Sequence, residues 1–173
     1  MTSPAVPDRK LLESAVSPEV VSALDLASAA LTRAGVRHLV VGGLAVAAHG
    51  YLRSTKDVYF LVGEEAFEHH AGGLVTMRAG VPIQVAGIVV DFLSIGADER
   101  FLESEVSKDG GIASASVLVY LKLKSPRTKD RADLVELVKA GIDVAVVRSF
   151  LATHRPGFVD KLDEIVRTAE AEG

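Results

Sequence analysis

The run Ile88-Val89-Val90-Asp91-Phe92-Leu93-Ser94-Ile95, closed by Gly87 and Gly96, is apolar except for Asp91 and Ser94. A short apolar, β-branched run between turn signals reads as a buried strand. Val81 to Val85 precedes it across Ala86-Gly87, a spacing that predicts a hairpin. A carboxylate in the middle of such a strand costs several kcal/mol unless it meets a partner or a metal. Asp91 therefore demands a sheet and something cationic facing it.

Two further strands are predicted upstream. Val36-Arg37-His38-Leu39-Val40-Val41 ends at Gly42-Gly43, after which the alanines of Leu44-Ala45-Val46-Ala47-Ala48-His49 favour a short helix. Lys56-Asp57-Val58-Tyr59-Phe60-Leu61-Val62 follows the polar loop Tyr51 to Thr55 and stops at Gly63. Alternation puts Asp57, Tyr59 and Leu61 on one face of that strand. Before the first strand, Ser17-Pro18-Glu19 supplies an N-cap, an N1 proline and an acid for the helix dipole. The three- and four-residue spacing of Val21, Leu24, Ala27 and Leu31 then predicts a helix over residues 18–34, stopped by Gly35.

Residues 1–16, with Pro4 and Pro7, read as a loose arm; residues 17–96 read as the α/β core and 97–173 as a mainly helical part. A short helix is expected from Glu64 to His70, with His69-His70 on the surface and Gly72-Gly73 after it. Further helices are expected at about 98–105, 129–140, 143–153 and 158–171, flagged by Asp98, Thr128, Asp143 and Gly157 as starts and by Gly141 and Pro156 as interruptions. The stretch Val117 to Lys124 stays ambiguous, because its end alternates like a strand while its Leu and Lys content suits a helix. The fold class is thus α/β (α+β): a small mixed twisted sheet with flanking helices in a single domain, as 173 residues allow.

Composition narrows the chemistry. The absence of cysteine excludes disulfides, thiolate zinc sites and cysteine nucleophiles, and fits a reducing cytoplasm. A formal charge of −4 gives no global field for nucleic acid, so any polyanion site is local. No apolar stretch reaches the ~18 residues of a membrane span, and MTSPAVPDRK lacks the apolar core of a signal peptide, so no membrane association or targeting is expected. Walker A, GxGxxG, GxSxG and HExxH patterns are all missing.

Four features follow one another in an order that makes a site: a strand ending in Gly42-Gly43, a short helix, Arg53-Ser54-Thr55-Lys56-Asp57 entering the next strand, and Asp91. Glycines between a strand and a helix let backbone N–H groups approach a phosphate. Acids on neighbouring strands can hold a divalent cation that bridges the same phosphates. Leu39-Val40-Val41-Gly42-Gly43, then Asp57-Val58-Tyr59, then Val90-Asp91-Phe92 resemble the nucleotidyltransferase superfamily of polymerase-β-like fold. Leu121-Lys122-Leu123-Lys124 followed by Arg127-Thr128-Lys129-Asp130-Arg131-Ala132-Asp133-Leu134 looks like the tail signature of its abortive-infection toxin branch. The resemblance covers about residues 36–138.

It implies Mg²⁺-dependent transfer of a nucleoside monophosphate from NTP to a hydroxyl or phosphate acceptor, an RNA or a small molecule. Asp57 and Asp91 would be the catalytic and metal-binding acids. Gly42, Gly43, Arg53, Thr55, Lys122 and Lys129 would be the nucleotide-binding residues. One position departs from the pattern: the second acid of Asp-x-Asp falls at Tyr59, and a tyrosine is neutral near pH 7, bulky, and unable to bridge two metals. Losing a bridging ligand worth about 4 kcal/mol slows transfer about a thousandfold, so Mg²⁺ binding and catalysis are expected to be weakened. Two alternatives stand beside this degenerate member: an active transferase in which an unmatched acid, such as Glu64 or Glu65, takes over from Tyr59, and a non-catalytic subunit that pairs with a helical partner protein or with itself. Local readings also stay open. Arg53 caps its loop or meets a phosphate; Asp91 pairs with Arg53 or Lys122; the five bases against one acid between Lys122 and Arg131 form a solvated face or approach the nucleotide.

Overall fold

The computed structural model describes residues 6–67 and 83–173. Its element order is α1 (Arg9–Ala15), α2 (Pro18–Arg33), β1 (His38–Val41), α3 (Gly42–Ala48), β2 (Val58–Val62), β3 (Ile83–Val85), β4 (Ile88–Ser94), α4 (Ala115–Leu123), α5 (Thr128–Lys139), α6 (Val144–His154) and α7 (Val159–Glu172). The strands form one mixed sheet in the order β1-β2-β4-β3, in which β2 and β4 are parallel and the outer pairs antiparallel. The α/β expectation holds. No helix among the described residues is long and apolar enough to cross a membrane.

Strand alternation sorts the side chains into two cores. Val40, Val58, Phe60, Val62, Val90 and Phe92 pack with Leu24 and Leu31 of α2 on one face of the sheet. Leu39, Val41 and Leu61 pack with α4 to α7 on the other. Each fully buried Leu, Val or Phe contributes about 1.5–3 kcal/mol, so a one-residue slip in register would exchange the faces and forfeit both layers. The same parity decides the site. Asp91 lies between Val90 and Phe92 and is the register partner of Tyr59, so both face the helical C-terminal layer.

The hairpin forms as expected: Ala86 (φ 50°) and Gly87 (φ 81°) both take positive φ, the requirement of a type I′ connection. The N-terminal reading needs correction, because residues 9–15 are helical rather than loose. The Asp8 side chain caps the Lys10 N–H, the Asp8 N–H donates to the Ala48 carbonyl at 2.9 Å, and Leu12 is fully buried. One buried leucine in two turns is too little for periodicity to register. The helix expected at 98–105 reduces to a 3-10 turn, Arg100–Leu102, since the Glu99 carboxylate turns inward to bond the Gly96 N–H. Glu64–Phe67 is likewise a 3-10 turn. The rest of the helix expected there, His69-His70, Gly72-Gly73 and the start of the run from Val81 lie outside the described residues.

Val117 to Leu123 resolves as helix. Ser114 caps α4 by accepting from the Val117 N–H, and Val117, Leu118, Val119, Tyr120 and Lys122 are all buried. A helix covered on every side loses the amphipathic stripe that would have identified it.

Candidate functional site

Where β1 runs into α3, the backbone meets side chains from the loop before β2. Gly42 has φ +68°, and a Cβ there would lie 3.1 Å from Cδ2 of the Tyr59 ring. A Cβ on Gly43 would lie 2.9 Å from Oγ1 of Thr55 and 3.2 Å from an Arg53 guanidinium nitrogen. Both glycines are therefore demanded by close approach, the first also by its backbone conformation. The packing brings Thr55, Arg53 and Tyr59 to the base of a cavity of about 610 Å³, within the usual size of a small-molecule site.

Gly42, Gly43, Arg53, Thr55, Asp57, Asp91, Lys122 and Lys129, the eight residues picked out in the sequence, all line this one cavity. Asp57 enters just before β2 and Asp91 from the middle of the neighbouring β4. Tyr59 lines the wall between Gly42 and these acids. Asp91 is half-buried, and its Oδ1 accepts the Phe92 N–H at 2.8 Å. It pairs with neither Arg53 nor Lys122, because both are engaged elsewhere.

Arg53 makes a two-pronged ion pair with Asp133, Nε to Oδ1 at 2.8 Å and Nη2 to Oδ2 at 2.9 Å. Lys122 Nζ lies 2.8 Å from both Asp130 Oδ1 and Asp133 Oδ2. The second oxygen of Asp130 accepts from Ser125 Oγ at 2.6 Å and from Arg127 Nε at 2.7 Å. Arg53, Asp133, Lys122, Asp130 and Arg127 thus form one alternating chain across the cavity wall, with the three central groups buried. Burial pushes the Asp130 carboxyl up, but hydrogen bonds from Arg127, Lys122 and Ser125 outweigh it and hold the group well below the usual carboxylate range. The Asp130 hydrogen bond raises Arg127 in turn, against some desolvation, and the nearby Tyr59 hydroxyl adds to that rise.

Arg53 is therefore neither a simple loop cap nor open to a ligand. The tail run is likewise not uniformly solvated: Lys122 is buried, whereas Lys129 is exposed and has no ion pair among the described residues. Lys124 reaches Glu99 at 2.6 Å. Glu99 also accepts from the Tyr120 hydroxyl. Burial raises the Tyr120 phenol to about 12, helped by Glu99. Sequence reasoning missed Glu99, and it saw Asp130 and Asp133 only as letters in a signature. Their three- and eleven-residue offsets along α4 and α5 were visible, but nothing local pointed α5's acids at Arg53.

Glu64 and Glu65, the acids named as substitutes for the one missing at Tyr59, lie away from the cavity. Glu65 sits past the far end of β2 and is held by Arg37, at 2.9 Å from both its Nε and its backbone N–H; Glu64 is exposed. Neither lines the cavity. A two-metal centre needs bridging carboxylates. Among the described residues no group of three His, Cys, Asp or Glu side chains is placed to hold a metal. The side chains around Asp57 and Asp91 do not fit such a centre, because Tyr59 takes the third place.

No family model matches the chain, and no curated protein matches it. The chemistry of the cavity rests on its own side chains.

Proposed function

We propose that the cavity binds a nucleoside triphosphate, and that the chain is a nucleotidyltransferase-superfamily protein in which transfer to an RNA or small-molecule acceptor is weakened. The observation that carries this reading is convergence. Eight residues chosen from four separated sequence segments line one cavity, where Arg53, Lys122 and Lys124 are paired with Asp133, Asp130 and Glu99 while the exposed Arg127 and Lys129 leave cationic charge at the rim. An anionic ligand with a polar, apolar-flanked body suits such a lining: Leu118 and Leu121 supply the apolar side. Tyr59 supports weakened transfer, since a phenol cannot replace a metal-bridging carboxylate.

The test is thermal unfolding with ATP, GTP, CTP and UTP, each in magnesium buffer and in EDTA. A ligand at a hundred times its Kd stabilises the native state by about 2.7 kcal/mol, which raises Tm by roughly 5–10 °C in a chain of this size. Incubation with labelled ATP and small RNAs should show transfer near background. The absence of a Tm rise with all four nucleotides in both buffers refutes the proposal; rapid labelling of RNA refutes the weakened-transfer half of it.

A further inference from the structure

We infer that the cavity takes its nucleoside triphosphate as the metal-free polyphosphate anion, with the Arg127 guanidinium and the Lys129 ammonium in the role that a divalent cation would otherwise fill. The inference rests on the nucleotide-binding reading above. It follows from which groups are committed and which are open.

Mg²⁺ demands a nearly octahedral set of oxygens at about 2.0–2.1 Å. Toward that set the cavity offers Asp57 and Asp91, and one oxygen of Asp91 already accepts a backbone N–H. The next position on the same strand face, register partner to Asp91, is the Tyr59 ring. That ring lies over the face of Gly42 where a Cβ would stand, so it occupies the space beside Asp91 that a third carboxylate would need.

The cations divide in the opposite sense. Arg53 and Lys122 are neutralised by Asp133 and Asp130. Arg127 bonds Asp130 through Nε alone, and its side chain is 63% exposed. Its two terminal nitrogens form no ion pair among the described residues, with the Tyr59 hydroxyl nearby, and their planar fork matches two phosphate oxygens. Asp130, itself buried and held by Lys122 and Ser125, fixes the base of that fork. Lys129, one residue into α5, adds an exposed ammonium on the same rim. Polyphosphate charge is thereby met by fixed side chains, and Asp57 and Asp91 face it as like charges.

The sign of one substitution separates the two modes. If a cation bridged the acids to the phosphates, Asp91→Asn would remove a ligand and weaken ATP binding. In the metal-free mode it removes a repulsion and tightens binding. Calorimetric titration of the full chain with ATP, in EDTA and in magnesium, is expected to give a Kd in EDTA equal to or below that in magnesium. Asp91→Asn should tighten binding several-fold, and Arg127→Ala should weaken it about tenfold or more in EDTA. Lys129→Ala, which breaks no ion pair, should weaken it less and leave the apo Tm unchanged, so that a folding defect in the arginine variant cannot imitate the result. Binding seen only with magnesium, or lost in Asp91→Asn, overturns the inference and leaves nucleotide binding standing. Absence of ATP binding in both buffers overturns the nucleotide reading itself, and the inference falls with it.

Discussion

Replacing Tyr59 with Asp tests whether Asp57, Asp91 and the position between them share one site. The new carboxylate would stand beside Asp91 on the adjacent parallel strand, about 5–6 Å away given strand spacing. At an effective dielectric of 20 that repulsion is about 3 kcal/mol, reduced to roughly 1–2 kcal/mol by solvent and salt at a half-open cavity wall. Losing the ring that packs on Gly42 and on the helical core costs about 1–2 kcal/mol more. A new pairing with Arg127 would return less than about 1 kcal/mol. The apo variant should therefore lose about 2–3 kcal/mol, a fall of roughly 5–10 °C in Tm. Three converging carboxylates should also bind Mg²⁺ more tightly than the parent does, because their mutual repulsion is relieved by the ion. At a hundred times its Kd, Mg²⁺ would restore about 2.7 kcal/mol. The assay is differential scanning fluorimetry of parent and variant across a magnesium series. Destabilisation with no magnesium-dependent recovery would refute the reasoning: Tyr59 would then be only a packing residue, and the acids would not share a site.

Three further outcomes follow from the packing. Asp133→Ala leaves Arg53 and the buried Lys122 short of a carboxylate and should cost about 3–5 kcal/mol in urea unfolding; a loss below 1 kcal/mol would show the ion chain to be dispensable. Ala86→Gly relieves the only non-glycine positive φ among the described residues and should stabilise the hairpin by about 0.5–1 kcal/mol, measurable by the same titration. The Arg37 hydrogen bond lowers Glu65 from 4.5 to about 2 despite some desolvation. The unfolded chain therefore binds the extra proton first: the contribution of Glu65 is complete above pH 4.5 and lost as pH falls toward 2. Glu65→Gln should lower stability at pH 7 and flatten that acid limb, and unchanged acid titration of the variant would count against the Arg37 pairing.

The features legible in the residues alone are local. The cap Ser17, the N1 proline and the spacing of Leu24, Ala27 and Leu31 specify α2 within a residue of where it lies. The run around Asp91 and the Ala86-Gly87 turn specify the hairpin, and period-two alternation already placed Tyr59 with Leu61. These features depend on neighbours a few positions apart, which is the range over which helical and strand periods act. Long-range packing sets the rest. Leu12 turns a proline-marked arm into α1 because α3 offers it a buried seat. α4 is helical although its burial on every side erases the stripe that periodicity reads. Above all, Arg53 finds Asp133, a partner 80 residues away, and that pairing with the Lys122–Asp130 bridge leaves Arg127 and Lys129 as the open cations. Spacing could bring the acids and bases into one cavity on paper. Which charges cancel and which face a ligand depends on how the helical layer seats against the sheet, and that is settled by the summed burial of two apolar cores rather than by any motif.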